Sequence, residues 1–183
     1  MTSLPTPAHE PLRKQVMTLR IIVLALAAGV IAFAIFAIVQ NLGKPHTLAG
    51  KLDQLSVMLL GFGLITLVLG VVVPPIVFAT SRGTAVQTMQ TACNEPELAR
   101  VLWVLLRMQN ATIIGCALFE GGAFANVFGY MQSNELLHLI LAGVLVLGIL
   151  VRFPLQGLTE QRLELELRRL KEEEGLRVNR QSL

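Results

Sequence analysis

Apolar residues gather into four long runs separated by short polar intervals, and each run is almost free of charge. The runs lie at about 21–39, 55–79, 112–130 and 136–153. A helix rises ~1.5 Å per residue and the hydrocarbon core of a bilayer is ~30 Å thick, so runs of this length predict transmembrane helices. The first follows Arg13, Lys14 and Arg20. A secretory signal is the rival reading there, because Ala32-Phe33-Ala34 offers small residues for cleavage. The run is longer than an ordinary signal core and continues past that point, so it is read as a retained span. Residues 1–15 carry three prolines and no apolar period, which predicts a disordered tail.

The polar intervals supply the punctuation. Gly43, Pro45 and Gly50 mark a short loop after the first span. Pro74-Pro75 remove two backbone donors near the end of the second and predict a bend or a stop. Asn94-Glu95-Pro96-Glu97 reads as a helix start, with Asn94 as the cap. From there Leu98–Asn110 predicts an amphipathic lead-in projecting from the membrane, with Trp103 at headgroup level. Only Met131–Glu135 separates the third span from the fourth, so these two form a tight antiparallel hairpin. Thr159 can cap a last helix running to about Glu174, with charge pairs Glu164–Arg168 and Glu166–Arg169 and a stripe of Leu163, Leu167 and Leu170. The expected fold is all-α: a four-helix transmembrane bundle over 16–154, then a cytoplasmic C-terminal helix and tail over 155–183.

Composition agrees with this pattern. Of 183 residues 54% are hydrophobic and 15% charged, and the mean hydropathy is +0.65. Charge sets the expected orientation. Lys and Arg number three before the first span, two in the first loop, three in the second, none in the third and seven from Arg152 onward. Alternate sides therefore hold thirteen and two, and the positive-inside rule puts both termini in the cytoplasm of a multi-pass protein of the bacterial inner membrane. A net charge of +3, unevenly spread, does not suit a nucleic-acid partner. The expected partner is the lipid bilayer. Cys93 and Cys116 fit no zinc or CxxC spacing, and His9, His46 and His138 are scattered. No catalytic set, metal-ligand cluster or cofactor motif stands out, so neither an enzyme nor a bound cofactor is expected.

One residue breaks the apolar pattern. Glu120 lies near the middle of the third run, where an ionised acid costs on the order of 3 kcal/mol. At the same expected depth the second span offers Thr66 and the fourth Leu145. His138 lies near a span end, Arg107 is about 20 Å back along the helix, and no Lys or Arg is expected within reach. On the third helix Gly115, Gly122, Asn126 and Gly129 share one face, a packing surface with Asn126 as interhelical glue. Cys116, Glu120, Ala123 and Val127 share the adjacent face. Two readings follow for the candidate site of Glu120, Thr66, Cys116 and Asn126. In one, the protein is a structural or interaction component and Glu120 is a buried helix-pairing acid. In the other, it is a small oligomeric proton or cation conductor that uses Glu120. A homo-oligomer through the small-residue face of the third span is a further expectation. In the first span, Ala25/Gly29 and Ala28/Ala32 are small pairs of the same kind.

Two resemblances bear on these readings. The segment Ile113-Ile114, Ala117-Leu118, Glu120 and Ala123 resembles the carboxylate-bearing second helix of the ATP synthase proteolipid, subunit c. That resemblance implies an ion-carrying acid at Glu120. It covers about eleven residues, and this chain has four predicted spans where that family has two and lacks its glycine-rich first helix. Over most of its length the chain is similar to uncharacterised bacterial four-span membrane proteins. The similarity rests on a basic start, a third helix with Arg107, Thr112, Ile113, Ile114, Ala117, Leu118 and Glu120, a Ser133-Asn134 turn, and an Arg152-Phe153-Pro154 exit. It implies the architecture and no activity.

Overall fold

Along residues 54–80, side-chain size more than hydrophobicity separates the buried positions from the exposed ones. The computed structural model describes residues 9–48, 53–80, 96–154 and six positions between 161 and 169. Among these residues the chain is all-α. Its helices are α1 (His9–Gln40), α2 (Gln54–Thr80), α3 (Pro96–Ser133) and α4 (Leu136–Val151), and helical backbone recurs at the six later positions. Among the described residues three stretches are long and apolar enough to cross a membrane: Arg13–Gln40, Gln54–Thr80 and Val101–Ser133. α4 is apolar but has 16 residues, about 24 Å of helix.

The chain forms two compact units. One comprises Arg20–Val77 with Ala111–Phe153. Within it, α2 buries Ser56, Gly63, Thr66, Gly70 and Pro74, while Met58, Phe62, Ile65, Val68 and Val71 face outward. Water would penalise that inversion; hydrocarbon does not, and small interior residues let helices approach closely. α3 runs antiparallel to α2 and α4. Its expected packing face, Gly115, Gly122, Asn126 and Gly129, meets both of them, joined by Phe119. A Cβ on Gly122 would collide with Thr66 Oγ1 and come within 3.2 Å of Leu145. Gly70 and Gly148 take the two sides of the Phe119 ring, and a Cβ on Gly129 would stand 2.6 Å from the His138 ring. The small-residue face expected to serve self-association is thus filled by the chain's own helices. α1 lies parallel to α3, with Phe33 against Phe124 (5.5 Å between ring centres) and Asn41 Nδ2 donating to Tyr130 O at 3.2 Å.

Pro74-Pro75 do not stop α2, which continues to Thr80. Pro74 has no N–H to give to the carbonyl four residues back, Gly70 O. That oxygen instead accepts from the Arg152 guanidinium at the end of α4. Burial of an orphaned carbonyl in apolar surroundings is thereby avoided.

The hairpin is tighter than expected, with Asn134 and Glu135 alone between α3 and α4. Asn134 has φ 58, a left-handed conformation that Asn tolerates, and Gly43 has φ 88 in the first loop. The 41–47 segment is tied to this turn. Leu136 N donates to Thr47 O at 2.9 Å and Asn134 Nδ2 to Pro45 O at 2.6 Å, while His46 Nδ1 meets Asn134 Oδ1 at 3.0 Å.

The second unit comprises Met1–Leu19, Phe78–Asn110 and Pro154–Leu183. Its buried residues include Val16, Leu19, Val101, Trp103, Val104, Leu105 and Leu163. The expected projecting lead-in is therefore largely packed, and Trp103 is 4% exposed. The Arg107 guanidinium lies 4.2 Å from the Trp103 ring centre and 4.4 Å from that of Phe78, a cation–π arrangement. Gln15 Nε2 donates to Gln109 Oε1 at 2.6 Å. Residues 9–15, expected in the tail, are helical, with Pro11 in the first turn where its missing donor costs little. The Glu166–Arg169 pair forms at 3.2 Å. Residues 1–8, Cys93, the Asn94 cap, Thr159, Glu164, Leu167, Leu170 and the segment from 171 onward lie outside the described residues.

The glycine contacts yield a matched pair of variants. Gly122→Ile should destabilise the bundle by about 1–3 kcal/mol in reversible mixed-micelle unfolding. Gly121→Ala, one residue away with open space at its Cβ position, should leave the midpoint unchanged.

Candidate functional site

Of the four residues expected at the site, three are buried. Thr66 donates from Oγ1 to Gly63 O of its own helix at 2.9 Å, with its side chain against Gly122. Asn126, with no exposure, donates from Nδ2 to Gly122 O at 2.8 Å and across to α2 at Leu59 O, 3.3 Å away. Thr66 and Asn126 therefore meet on either side of Gly122. Cys116 is a buried free thiol one turn before Glu120. Glu120 is half-buried, at the rim of the packed face of α3, next to exposed Ala117 and Gly121. The hydrogen bonds of Thr66 and Asn126 are directed to other atoms, so the structure does not bring those two residues to the acid. Around Glu120 the residues Cys116, Ala123 and Val127 are fully buried and carry no carboxylate partner.

Three polar residues were missed by sequence reasoning. Arg152, counted as a flanking charge, folds back into the first unit. It reaches Gly70 O, packs over Gly115 and stands 5.3 Å from the Phe119 ring centre. A cation thus packs on the same face of α3 as Gly115 and Phe119, where none was expected. Among the described residues no ion pair joins it to Glu120. The other two are His138 and Glu135. His138 has no exposure and Glu135 is 3% exposed. His138 Nδ1 faces Asn126 Oδ1 at 3.1 Å, and its Nε2 stands 4.0 Å from Glu135 Oε2. The sequence held a signal for them. In a hairpin this tight, residues at matched distances from the turn must meet, which sets His138 opposite Gly129 and Arg152 opposite Gly115.

At the same end Asp53 caps α2. Its Oδ1 accepts from Ser56 N at 2.7 Å, and that backbone bond is the main reason its carboxyl is held below the ordinary carboxylate range. The arrangement as a whole packs, caps and hydrogen-bonds. Among the described residues no group of three or more His, Cys, Asp or Glu could hold a metal ion. Comparison with known proteins finds no family model, no curated protein and no solved structure that matches the chain.

Two outcomes follow. Arg152→Met should cost stability in the wild-type background and markedly less in Pro74→Ala, whose restored N–H can serve Gly70 O. A double-mutant cycle in mixed micelles should give a coupling of about 1 kcal/mol. A carboxyl with a lowered folded-state value contributes stability that is complete above its unfolded value and is lost as pH falls through the folded one. Protection of the Ser56 and Val57 amides, relative to their intrinsic exchange rates, should therefore fall as pH drops below about 3.8, and Asp53→Asn should remove that dependence.

Proposed function

We propose that the protein is an integral component of the bacterial inner membrane, with both termini cytoplasmic, that acts through contacts with other membrane-embedded helices. In this reading Glu120 is the polar point of such a contact, pairing with a helix outside its own chain, either a second copy or another membrane protein. The observation that carries it is the position of Glu120. The acid sits half-buried at the rim of α3 beside small exposed residues, while Thr66 and Asn126 are engaged elsewhere. Space beside it is open, since a Cβ on Gly121 would meet nothing within 4 Å. On α1, Ala25, Ala28, Gly29 and Ala32 are likewise exposed, so a close helix approach is sterically available there too. A protonated acid in hydrocarbon gains from any acceptor on an arriving helix.

The ion-conducting alternative draws support from the resemblance of 113–123 to the proteolipid helix. It calls for polar groups leading to the acid, and fully buried Ala123 and Val127 follow Glu120 on its own face.

Glu120→Leu should weaken association by roughly tenfold, about 1.4 kcal/mol, measured by energy transfer between labelled chains diluted in lipid. Glu120→Gln, which keeps a donor and an acceptor, should stay close to wild type. Unchanged association in both variants would rule the contact out. Proton flux in liposomes that is lost in Glu120→Gln with assembly intact would establish the conductor instead.

A further inference from the structure

The buried layer at the turn end of α3 and α4 contains a proton whose position follows from hydrogen-bond accounting. Asn126 Nδ2 donates to two carbonyls, Gly122 O at 2.8 Å and Leu59 O at 3.3 Å. Carbonyl oxygens only accept, so the amide cannot be reversed without setting its own oxygen against two others. Asn126 Oδ1 is thereby fixed toward His138 Nδ1, 3.1 Å away, and that nitrogen must carry a hydrogen. In a neutral imidazole the other nitrogen, Nε2, is then a bare lone pair. It is buried, it has no hydrogen-bond partner among the described residues, and it faces Glu135 Oε2 across 4.0 Å. That oxygen is buried and without a partner in the same way. An ionised carboxylate likewise presents only lone pairs. Neutral His138 beside ionised Glu135 would leave two acceptors confronting each other out of reach of water, an arrangement that folded proteins avoid.

We propose that Glu135 and His138 together form a buried site for one proton, held between Glu135 Oε2 and His138 Nε2. One proton is taken up from water per chain, and it makes a single N–H···O bond from Nε2 to Oε2 once the side chains close the gap by about 1 Å. The other charged or titratable groups around the pair are identifiable. Asp53 at the start of α2 acts electrostatically on the imidazole. α3 presents Asn126 and Gly129, with Tyr130 beside them. In the 41–47 segment Lys44 is bonded to Asn41 Oδ1 at 2.8 Å and His46 to Asn134. The site is separate from Glu120 and does not rest on the role given to that residue.

Its occupancy is coupled to the loop. Glu135 pairs with Thr47 in an isolated bridge, and the neighbouring Leu136 N donates to Thr47 O. Removal of the proton sets carboxylate against lone pair and pushes Glu135 off the ring, which loads the link holding the 41–47 segment.

The test is nitrogen-15 histidine NMR of the full chain in nanodiscs between pH 5 and about 10, with His138 assigned by His138→Asn. The expected pattern is Nδ1 protonated throughout, with Nε2 losing its proton in one step. In Glu135→Gln that step should move to lower pH by about one unit or more, and in wild type the protection factor of the Leu136 amide should fall above the step. The nitrogen pattern is read in the wild-type chain, so it decides the matter even where Glu135→Gln fails to fold. Nε2 protonated with Nδ1 bare would overturn the proposal, as would a step that Glu135→Gln leaves in place. Retention of one equivalent of Zn²⁺ bound through Nε2 would overturn it in favour of a metal site.

Discussion

The close approach of α2 and α4 to α3, made possible by glycines where any side chain would collide, is the constraint on which the remaining structure depends. In hydrocarbon, helices gain little from hydrophobic association, so van der Waals contact and interhelical hydrogen bonds must hold them together. Gly122 admits Thr66 and Leu145, and Gly70 and Gly148 admit the Phe119 ring. With the helices at that distance, Asn126 can reach the Leu59 carbonyl on α2 and the His138 ring on α4 at once. One amide thereby joins three helices. Larger residues along this seam would separate the helices and leave the same amide without partners.

The polar groups this packing collects are unevenly distributed. One end of the first unit carries a dense network of Asn126, His138, Glu135, Asp53 and the segment from Asn41 to Thr47. Toward the other end Arg152 serves the backbone of α2. Between them Glu120 is the acid left at the rim.

Periodicity in the sequence identifies faces, and faces were legible: the Gly115, Gly122, Asn126, Gly129 surface is the one that packs, and Asn126 does join helices. Runs of apolar residues likewise marked the helices, because length and composition alone decide which segments suit a bilayer. Partners were less legible. Arg152 at a helix end can extend into the polar interface or fold inward, and the deciding factor is a carbonyl freed by Pro74, seventy-eight positions earlier in the chain. Trp103 shows the same difficulty. An indole near a span end suits the headgroup region, yet here it packs against Arg107 within the second unit. His138 was passed over because a histidine near a span end looks solvated until its register opposite Gly129 and Asn126 is known.

The bond between Arg152 and the Gly70 carbonyl also bears on how the chain is made. Synthesis delivers α2 to the membrane long before residue 152 emerges, so α2 inserts with a backbone acceptor awaiting its donor. The backbone of α2 is satisfied only once the end of α4 is in place, which makes the hairpin of α3 and α4 a closing element for α2. Products that end before Arg152 would lack the donor for Gly70 O and carry an unsatisfied carbonyl in an apolar helix.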